Sequence, residues 1–458
     1  MSQATPRHVA VIDIGKTNAK VVLIDTRTQA QLAAESMPNT VVHDGPYPHA
    51  DVERLWTFIK AVLTHLQAAH GVDGISITTH GATGALLSEK GLVLPVLDYE
   101  SDAPEASAEA YERVRPGFAE TLSPRLPAGL NWGAQIFWQA RAFPEDFAQV
   151  TAIVPYPQYW AWRLTGMLAS EVTSLGCHTD LWAPDTGDFS SLVASQHWQQ
   201  LFPPVRPAAS VIGTLLPDIA AETGLPSSTP VTTGIHDSNA SLLPHLGNAA
   251  TPFTVVSAGT WTILMTVGGS TAALDPDRDS LANVDAHGRP VPTARFMGGR
   301  EFDALVPEIA EPTPDDIAHV IANDVQVLPS FAPGVGPFGR QTGRWTVDPD
   351  TLTPGQRTAA ASVYLALVAS TCLDLCGLGR AITLEGPLGR NGLFARCLAT
   401  LTGVPVHASG DATGTSLGAS LLFGGMETRQ TSGSHAFPPL QVDGLDAYIA
   451  QWRRRTAG

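Results

Sequence analysis

The sequence predicts an α/β protein built as two similar lobes, and three observations predict it. Short β-branched strands alternate with helical patterns, as where a strand at 74–79 follows an amphipathic run at 51–69. A β-branched hairpin with a Gly-containing polar turn occurs twice, at 8–25 and again at 253–264. The chain, at 458 residues, is also longer than one hydrophobic core usually organises. Two domains are therefore expected, 1–243 and 244–458.

Composition narrows the function classes before any motif is weighed. Hydrophobic residues make up 44% of the chain, enough for two cores, and the formal net charge is -16 at pH 7. So acidic a chain lacks the basic patches that nucleic acid or an anionic membrane surface needs, and neither is an expected partner. An anionic small ligand would have to be held locally, by backbone donors and a metal. The four cysteines, Cys177, Cys372, Cys376 and Cys397, form no CxxC pair and are too sparse for a disulfide framework, which fits reduced, buried thiols in a cytoplasm. No signal-peptide pattern stands at the N-terminus. The apolar run 359–375 is interrupted by Ser362, Ser370, Thr371 and Asp374, so no membrane span is expected.

The first hairpin carries the first candidate site. Two apolar runs, 9–14 and 21–24, flank a turn of Gly15, Lys16, Thr17 and Asn18. Gly15 lets backbone pass close to a ligand, and Thr17 and Asn18 add side-chain donors to the free N–H groups of a tight turn, a combination suited to phosphate oxygens. Asp13 lies just before the turn. A carboxylate beside a phosphate cradle makes sense if Mg²⁺, a hard cation that keeps several waters, lies between them. An ordinary hairpin with an Asp at its end is the competing reading.

The helical run at 51–69 follows, with Leu55, Trp56, Ile59, Val62 and Leu66 on one face. The strand at 74–79 ends in Thr79, His80 and Gly81, and Tyr99 and Glu100 are expected to close a neighbouring strand in the same manner. Strand ends are where α/β folds place ligands, which makes His80 a candidate contact or a structural turn histidine. Asn131, Trp132, Gln135 and Trp138 could line a sugar site, aromatic faces on the ring and amides on its hydroxyls, or serve as core and caps. His178, in the loop that follows Cys177, carries the same ambiguity as His80.

In the second informative stretch a strand runs into Gly234 and delivers His236 and Asp237 at the start of a helix. There a carboxylate can point into a cleft, or merely cap. The second hairpin then repeats the first, with Gly259 and Thr260 in its turn. Two such hairpins with Asp237 between them suggest duplicated lobes gripping one nucleotide. A long helix is expected over 358–378, and the strand at 381–384 runs into a Gly turn, Gly386 to Gly389 and Asn391, that opens a helix. Backbone at such a turn can approach a base or an α-phosphate, and the helix N-terminus favours the anion. A small-residue helix near 412–418 implies close packing, and the helix bearing Arg453, Arg454 and Arg455 ends in solvent.

Together these stretches resemble the FGGY carbohydrate kinase family, in the superfamily of sugar kinases, actin and Hsp70. Asp13 to Lys20 is similar to that family's first phosphate motif, with Lys16 where a Thr is usual. Gly234 to Ala240 resembles the catalytic Asp motif, Ser257 to Thr260 the second phosphate motif, and 385–391 followed by 403–406 the adenosine motif, with Pro387 and Leu388 where glycines are usual. The resemblance implies two ribonuclease H-like lobes with an active-site cleft between them. It implies Asp237 as general base, and Asp13, Gly15, Lys16, Thr17, Asn18, Lys20, Gly259, Thr260, Gly386, Gly389 and Asn391 at nucleotide and phosphate. His80, Gly81, Tyr99, Glu100, His178, His236 and Asp237 are implied on the sugar, and Asp13 on Mg²⁺, mainly through water.

The activity implied is phosphorylation by ATP of a primary hydroxyl on a small ketose, a 6-deoxy-ketohexose such as L-fuculose or L-rhamnulose, or a ketopentose such as xylulose or ribulose. The run 78–87 looks closer to the fuculokinase and rhamnulokinase branch than to glycerol or xylulose kinases. Sugar and ATP are the expected partners, with a homodimer as the assembly to test. Two other readings stay open: a catalytically silent sugar or nucleotide sensor on the same fold, and an actin- or Hsp70-like ATPase acting on protein partners.

Overall fold

The computed structural model describes residues 5–246, 251–409, 414–424 and 436–457. The chain divides into two compact units, each drawn from separated segments. Unit 1 is Met1–Asn248, Asn283–Pro290 and Thr413–Arg429, and unit 2 is Ala249–Ala282, Val291–Ala412 and Gln430–Gly458.

In unit 1 the opening hairpin forms as expected, β1 (His8–Ile14) pairing antiparallel with β2 (Asn18–Asp25). β3 (Ala30–Pro38) adds to the outer edge of β2. The helix α1 (Val52–His70) starts where the Asp51 carboxylate accepts from the Arg54 N–H, and it ends at Gly71, whose φ of 75° suits glycine. Its Leu55, Trp56, Ile59, Val62 and Leu66 are buried, so the helical periodicity and the core face coincide. β4 (Gly74–Thr79) then runs parallel to β1.

Two further strands, β5 (Val211–Thr214) and β6 (Pro230–Thr232), complete the path β5-β6-β4-β1-β2-β3, and β7 (Ile235–His236) also pairs with β4. The register positions the site: Asp13 lies opposite Thr78 and Ile235 opposite Thr78, so Asp13, His80 and Asp237 emerge at the same ends of three adjacent parallel strands. Tyr99 and Glu100 do not close such a strand. They sit in a turn just past Leu97, whose single bridge to His49 is the last pairing of that stretch. α2 (Asp237–Leu246) follows β7 directly.

Unit 2 opens with the second hairpin, β8 (Phe253–Ala258) and β9 (Thr262–Val267), again antiparallel. With β10 (Ser280–Val284), β11 (Pro290–Phe296), β12 (Ile382–Glu385) and β13 (Val406–Ala408) it forms a sheet of order β10-β11-β9-β8-β12-β13. Between β11 and β12 lie α3 (Gly298–Leu305) and α4 (Pro354–Cys376), and α5 (Gly392–Thr402) lies between β12 and β13. α4 starts with a reciprocal cap between Thr353 and Gln356. It is long and apolar enough to cross a membrane by length and composition, yet it is mostly buried in the core of unit 2 among Leu384, Phe394 and Leu398. A buried core helix needs apolar residues all round, which accounts for its composition.

The chain then returns to unit 1 with α6 (Gly414–Ser420). A side-chain carbon on Gly418 would fall 1.7 Å from the Ala240 carbonyl oxygen, so α6 and α2 touch backbone to backbone. That contact is the reason for the small residues. A single division at residue 243 did not anticipate this return, and residues 410–413, where the small-residue helix was expected to begin, lie outside the described residues.

Candidate functional site

In unit 1 the strand ends converge on Asp237. β7 delivers His236 and Asp237 together, and His236 Nε2 lies 3.1 Å from Asp237 Oδ1. The Ser238 N–H also donates to Oδ1, at 2.6 Å. Oδ2 carries no hydrogen bond among the described residues, and the side chain is 31% exposed. Burial works against ionisation of this carboxyl, but the His236 charge and hydrogen bond outweigh it, with a smaller contribution from His80, and hold it below the ordinary aspartate range. Asp237 is therefore an ionised carboxylate at neutral pH with one oxygen uncommitted.

Asp13 is buried, and its Oδ2 accepts from Ser416 Oγ at 2.7 Å and from Lys20 Nζ at 3.2 Å. Burial pushes its pKa up, against the opposing pull of Lys20 and Ser416. Oδ1 has no protein partner among the described residues, and these hold no cluster of three His, Cys, Asp or Glu that could form a protein metal cage. One carboxylate with a spare oxygen fits a hydrated Mg²⁺ carried in on a nucleotide, since Mg²⁺ is usually held by one or two carboxylates plus waters and substrate phosphates.

The first turn is arranged differently from the expectation for Lys16. Its ammonium pairs with Asp98 Oδ1 and lies 3.3 Å from Glu100 Oε2 and 5.0 Å from the Tyr99 ring centre. Lys16 is thus tied to Asp98 and sits beside Tyr99 and Glu100, two of the residues expected on the sugar. Lys20 is likewise committed, to Asp13. Thr17 and Asn18 are exposed, with only the 3.3 Å contact between their side chains, and Gly15 closes the turn through its N–H to the Asn18 carbonyl.

His80 packs edge-on to Tyr99, with ring centres 5.2 Å apart, and against Tyr156. Burial lowers its pKa, so it is neutral at physiological pH. Gly81 backs onto the surroundings of Asp237: a Cβ there would meet His236 Nε2 at 2.7 Å and Cys177 Sγ at 2.9 Å. His178 Nδ1 is 2.8 Å from the Leu130 carbonyl. Asn131 bonds Leu126, Pro124 and His178 main chain, and the Gln135 Nε2 donates to the Ala82 and Gly129 carbonyls, so the Asn131 amide and the Gln135 nitrogen are spent on structure.

In unit 2 a pocket of about 480 Å³ is lined by Gly259 and Thr260 from the second turn, by Gly299, Phe302 and Asp303 from α3, by Ile309 to Pro312, and by Leu388, Arg390 and Asn391. A Cβ on Gly299 would fall 2.3 Å from the Gly259 carbonyl oxygen, so the first turn of α3 rests directly on the phosphate-type turn. Gly386, at φ 79°, lies against Ala258 rather than on the pocket wall, and Gly389 faces Leu384. The Asn391 side chain caps α5 through the Phe394 N–H and donates to Ser362, so its backbone and stem rather than its amide are available to a ligand.

Sequence reasoning missed Ser416, Gly299 and the pairing of Lys16 with Asp98. The unusual Lys in the first turn and the acidic pair flanking Tyr99 were signals for the last of these. No local pattern pointed to the first two.

An α/β protein with a phosphate-type turn in each unit and an ionised, half-buried Asp at a strand end is the class this geometry defines. The model of the FGGY family of carbohydrate kinases, N-terminal domain, matches residues 8–244, and that of the carbohydrate kinase FGGY C-terminal domain matches 250–432. The chain belongs to the FGGY family of carbohydrate kinases. It is similar to the crystal structure of a carbohydrate kinase from Novosphingobium aromaticivorans, with 37% identity, a TM-score of 0.91 and 99% of each chain covered. It is 29% identical over 275 residues to an L-fuculokinase of Salmonella typhi, a match covering 57% of each chain. To an L-xylulose/3-keto-L-gulonate kinase of Escherichia coli it is 27% identical, covering 62% of this chain and 58% of the relative. The chain thus spans little more than half the length of the curated relatives it matches.

Proposed function

We propose that the protein is an ATP-dependent sugar kinase acting on a primary hydroxyl of a small ketose, with a 6-deoxy-ketohexose of the L-fuculose type as first candidate and a ketopentose as second. One observation carries the reading: Asp237 is ionised, held by one oxygen and open at the other, which is what a general base for a sugar hydroxyl requires. The match to an L-fuculokinase favours the first candidate substrate.

In this reading unit 1 holds the sugar and unit 2 the nucleotide. Asp237 Oδ2 accepts the proton of the sugar hydroxyl as its oxygen bonds to the γ-phosphorus of ATP and the bond to the β-phosphate bridge breaks, leaving ADP. His80, neutral and next to Tyr99, serves the sugar with Glu100, and the exposed donors of Thr17 and Asn18 serve the phosphates. Mg²⁺ supplies charge neutralisation on the transferring phosphoryl oxygens, and Asp13 would hold it through water. Phosphoryl transfer needs little covalent work from a protein, so position and electrostatics suffice. An enzyme that draws on ATP fits a cytoplasmic setting.

Incubation with Mg-ATP and a panel of ketoses, reading ADP release and sugar phosphate together, tests the proposal. Sugar-dependent ADP release with a matching sugar phosphate is expected. ADP release indifferent to sugar would favour an ATPase acting on proteins, and binding without turnover would favour a sensor.

A further inference from the structure

His236 has no free edge to offer a substrate. It is 4% exposed, and the side chains around it take both ring nitrogens: Nε2 contacts Asp237 Oδ1 at 3.1 Å and Cys177 Sγ at 3.5 Å, and Nδ1 contacts the Asn239 amide at 3.2 Å. Its backbone N–H donates to Thr173 Oγ1 at 3.1 Å, and that hydroxyl donates to Glu171 Oε2 at 2.5 Å. Gly81 closes the remaining side, where any larger residue would strike the imidazole and the sulfur. Cys177 and Asn239 are as buried as the ring, at 4% and 3%.

We propose that His236 and Cys177 are positioning residues for Asp237, the sulfur and Asn239 fixing the imidazole so that its Nε2–H holds Oδ1 and leaves Oδ2 to the sugar hydroxyl. What the positioned carboxylate does rests on the kinase reading; that it is positioned does not. Electrostatics agrees with the geometry. Burial favours the neutral form of each group, yet His236 holds Asp237 below its ordinary range, Cys177 and Asp237 hold His236 above its own, and His178 first, then His236, pull the Cys177 thiol down. The amide of Asn239 serves either protonation state, donating to a neutral Nδ1 or, turned over, accepting from a protonated one. Other titratable groups facing the trio are Asp13 on β1, His80 after β4, Tyr99, Glu171 ahead of the helix Val172–Leu175, and His178 beside the thiol. Glu171 is fully buried with one carboxyl oxygen unpartnered, and burial raises it to about 7.

The test uses the full chain. His236→Gln keeps a donor for Asp237 but not a cation, so the acid limb of the kcat profile should move up by about one pH unit as Asp237 becomes easier to protonate. The same variant should lose roughly tenfold in kcat with KM for ATP unchanged. Cys177→Ala should lose less, and Cys177→Ser should recover most of that loss because a hydroxyl can still share the Nε2–H with Oδ1. A folded His236→Gln protein with an unmoved acid limb overturns the assignment for His236, and Cys177→Ser no better than Cys177→Ala overturns it for the thiol. If His236→Gln fails to fold, NMR titration of the His236 imidazole in wild type and Asp237→Asn decides, with a fall of about one unit expected and no change fatal. This last readout needs no turnover, so a wild-type protein inactive on every sugar would sink the kinase reading and leave the pairing to be judged separately.

Discussion

The first turn, residues 15–18, is crowded with charge: Lys16 reaches Asp98 and Glu100, and Lys20 holds Asp13, which Ser416 also caps. The second turn, residues 259–261, has no charged side chain and is defined by shape, with Gly299 of α3 resting on the Gly259 carbonyl and a pocket opening beside Thr260. One strand–Gly–Thr–strand pattern has thus been put to two uses. Where the flanking strands carry ionisable groups, the turn becomes part of an electrostatic network that reacts to charge changes. Where a helix start packs against it, the turn becomes a steric cradle, sensitive to a single methyl group. The two units should therefore fail in different ways when altered.

The largest effect is expected at Asp237, beside the charged turn. Asp237→Asn keeps size and capping ability while removing the base, so single-turnover rates should fall roughly 10²–10⁴-fold, with thermal stability and binding of both substrates near wild type. A normal rate in the folded variant would reduce Asp237 to a helix cap. Asp13→Asn should come next, lowering turnover by roughly 10²-fold, the scale of losing one preorganised electrostatic group, while calorimetric sugar binding without nucleotide persists. Wild-type turnover there would remove the first turn from the chemistry.

Gly299→Ala probes the steric cradle. The added carbon would lie 2.3 Å from a backbone oxygen, and overpacking of this kind costs about 1–3 kcal/mol, which, where it falls on the nucleotide-bound form, is roughly 5- to 150-fold in nucleotide affinity. Sugar affinity should not move. An equal change in both would erase the distinction between the two turns. The smallest effect belongs to Lys16→Thr, which installs the residue of the phosphate motif that 13–20 resembles. Glu100 is 63% exposed but Asp98, the nearer partner, only 11%, so the cost in stability should exceed the roughly 1 kcal/mol of a surface pair while the effect on turnover stays small. Sugar KM should shift by a few-fold while ATP KM stays; a shift in ATP alone would return Lys16 to the phosphates.

What the sequence made legible was whatever is encoded locally. Both hairpins, the core face of α1, the long α4 and the strand-to-helix junction at Asp237 follow from periodicity and turn chemistry within about twenty residues. Positions set by long-range pairing were not legible. Ser416 meets Asp13 across 403 residues, and Lys16 meets Asp98 across 82. The strand expected to end at Glu100 failed for a related reason: after Gly91–Leu92 the run finds only one further bridge, Leu97 to the distant His49, before the turn at 99–100. The adenosine turn was found, but its amide at Asn391 is taken by α5 and Ser362, a competition between capping and binding that composition does not reveal.

The return of α6 to unit 1 bears on synthesis. Ser416 completes the environment of Asp13, Ser76 donates to the Ala419 carbonyl, and Gly418 seats on Ala240, so the sheet that begins with residue 8 lacks these partners until more than 400 residues have been made. Domains usually fold in order as they leave the ribosome. Here the first unit has to wait, with β1 and β4 exposing part of a face that α2 and Ala208 cover early and Ala419 and Leu422 complete late, while unit 2 has most of its own chain already in hand. A fragment ending near residue 244 would lack that cover and should emerge aggregation-prone, whereas supplying 414–424 on the same polypeptide through a short linker should rescue it.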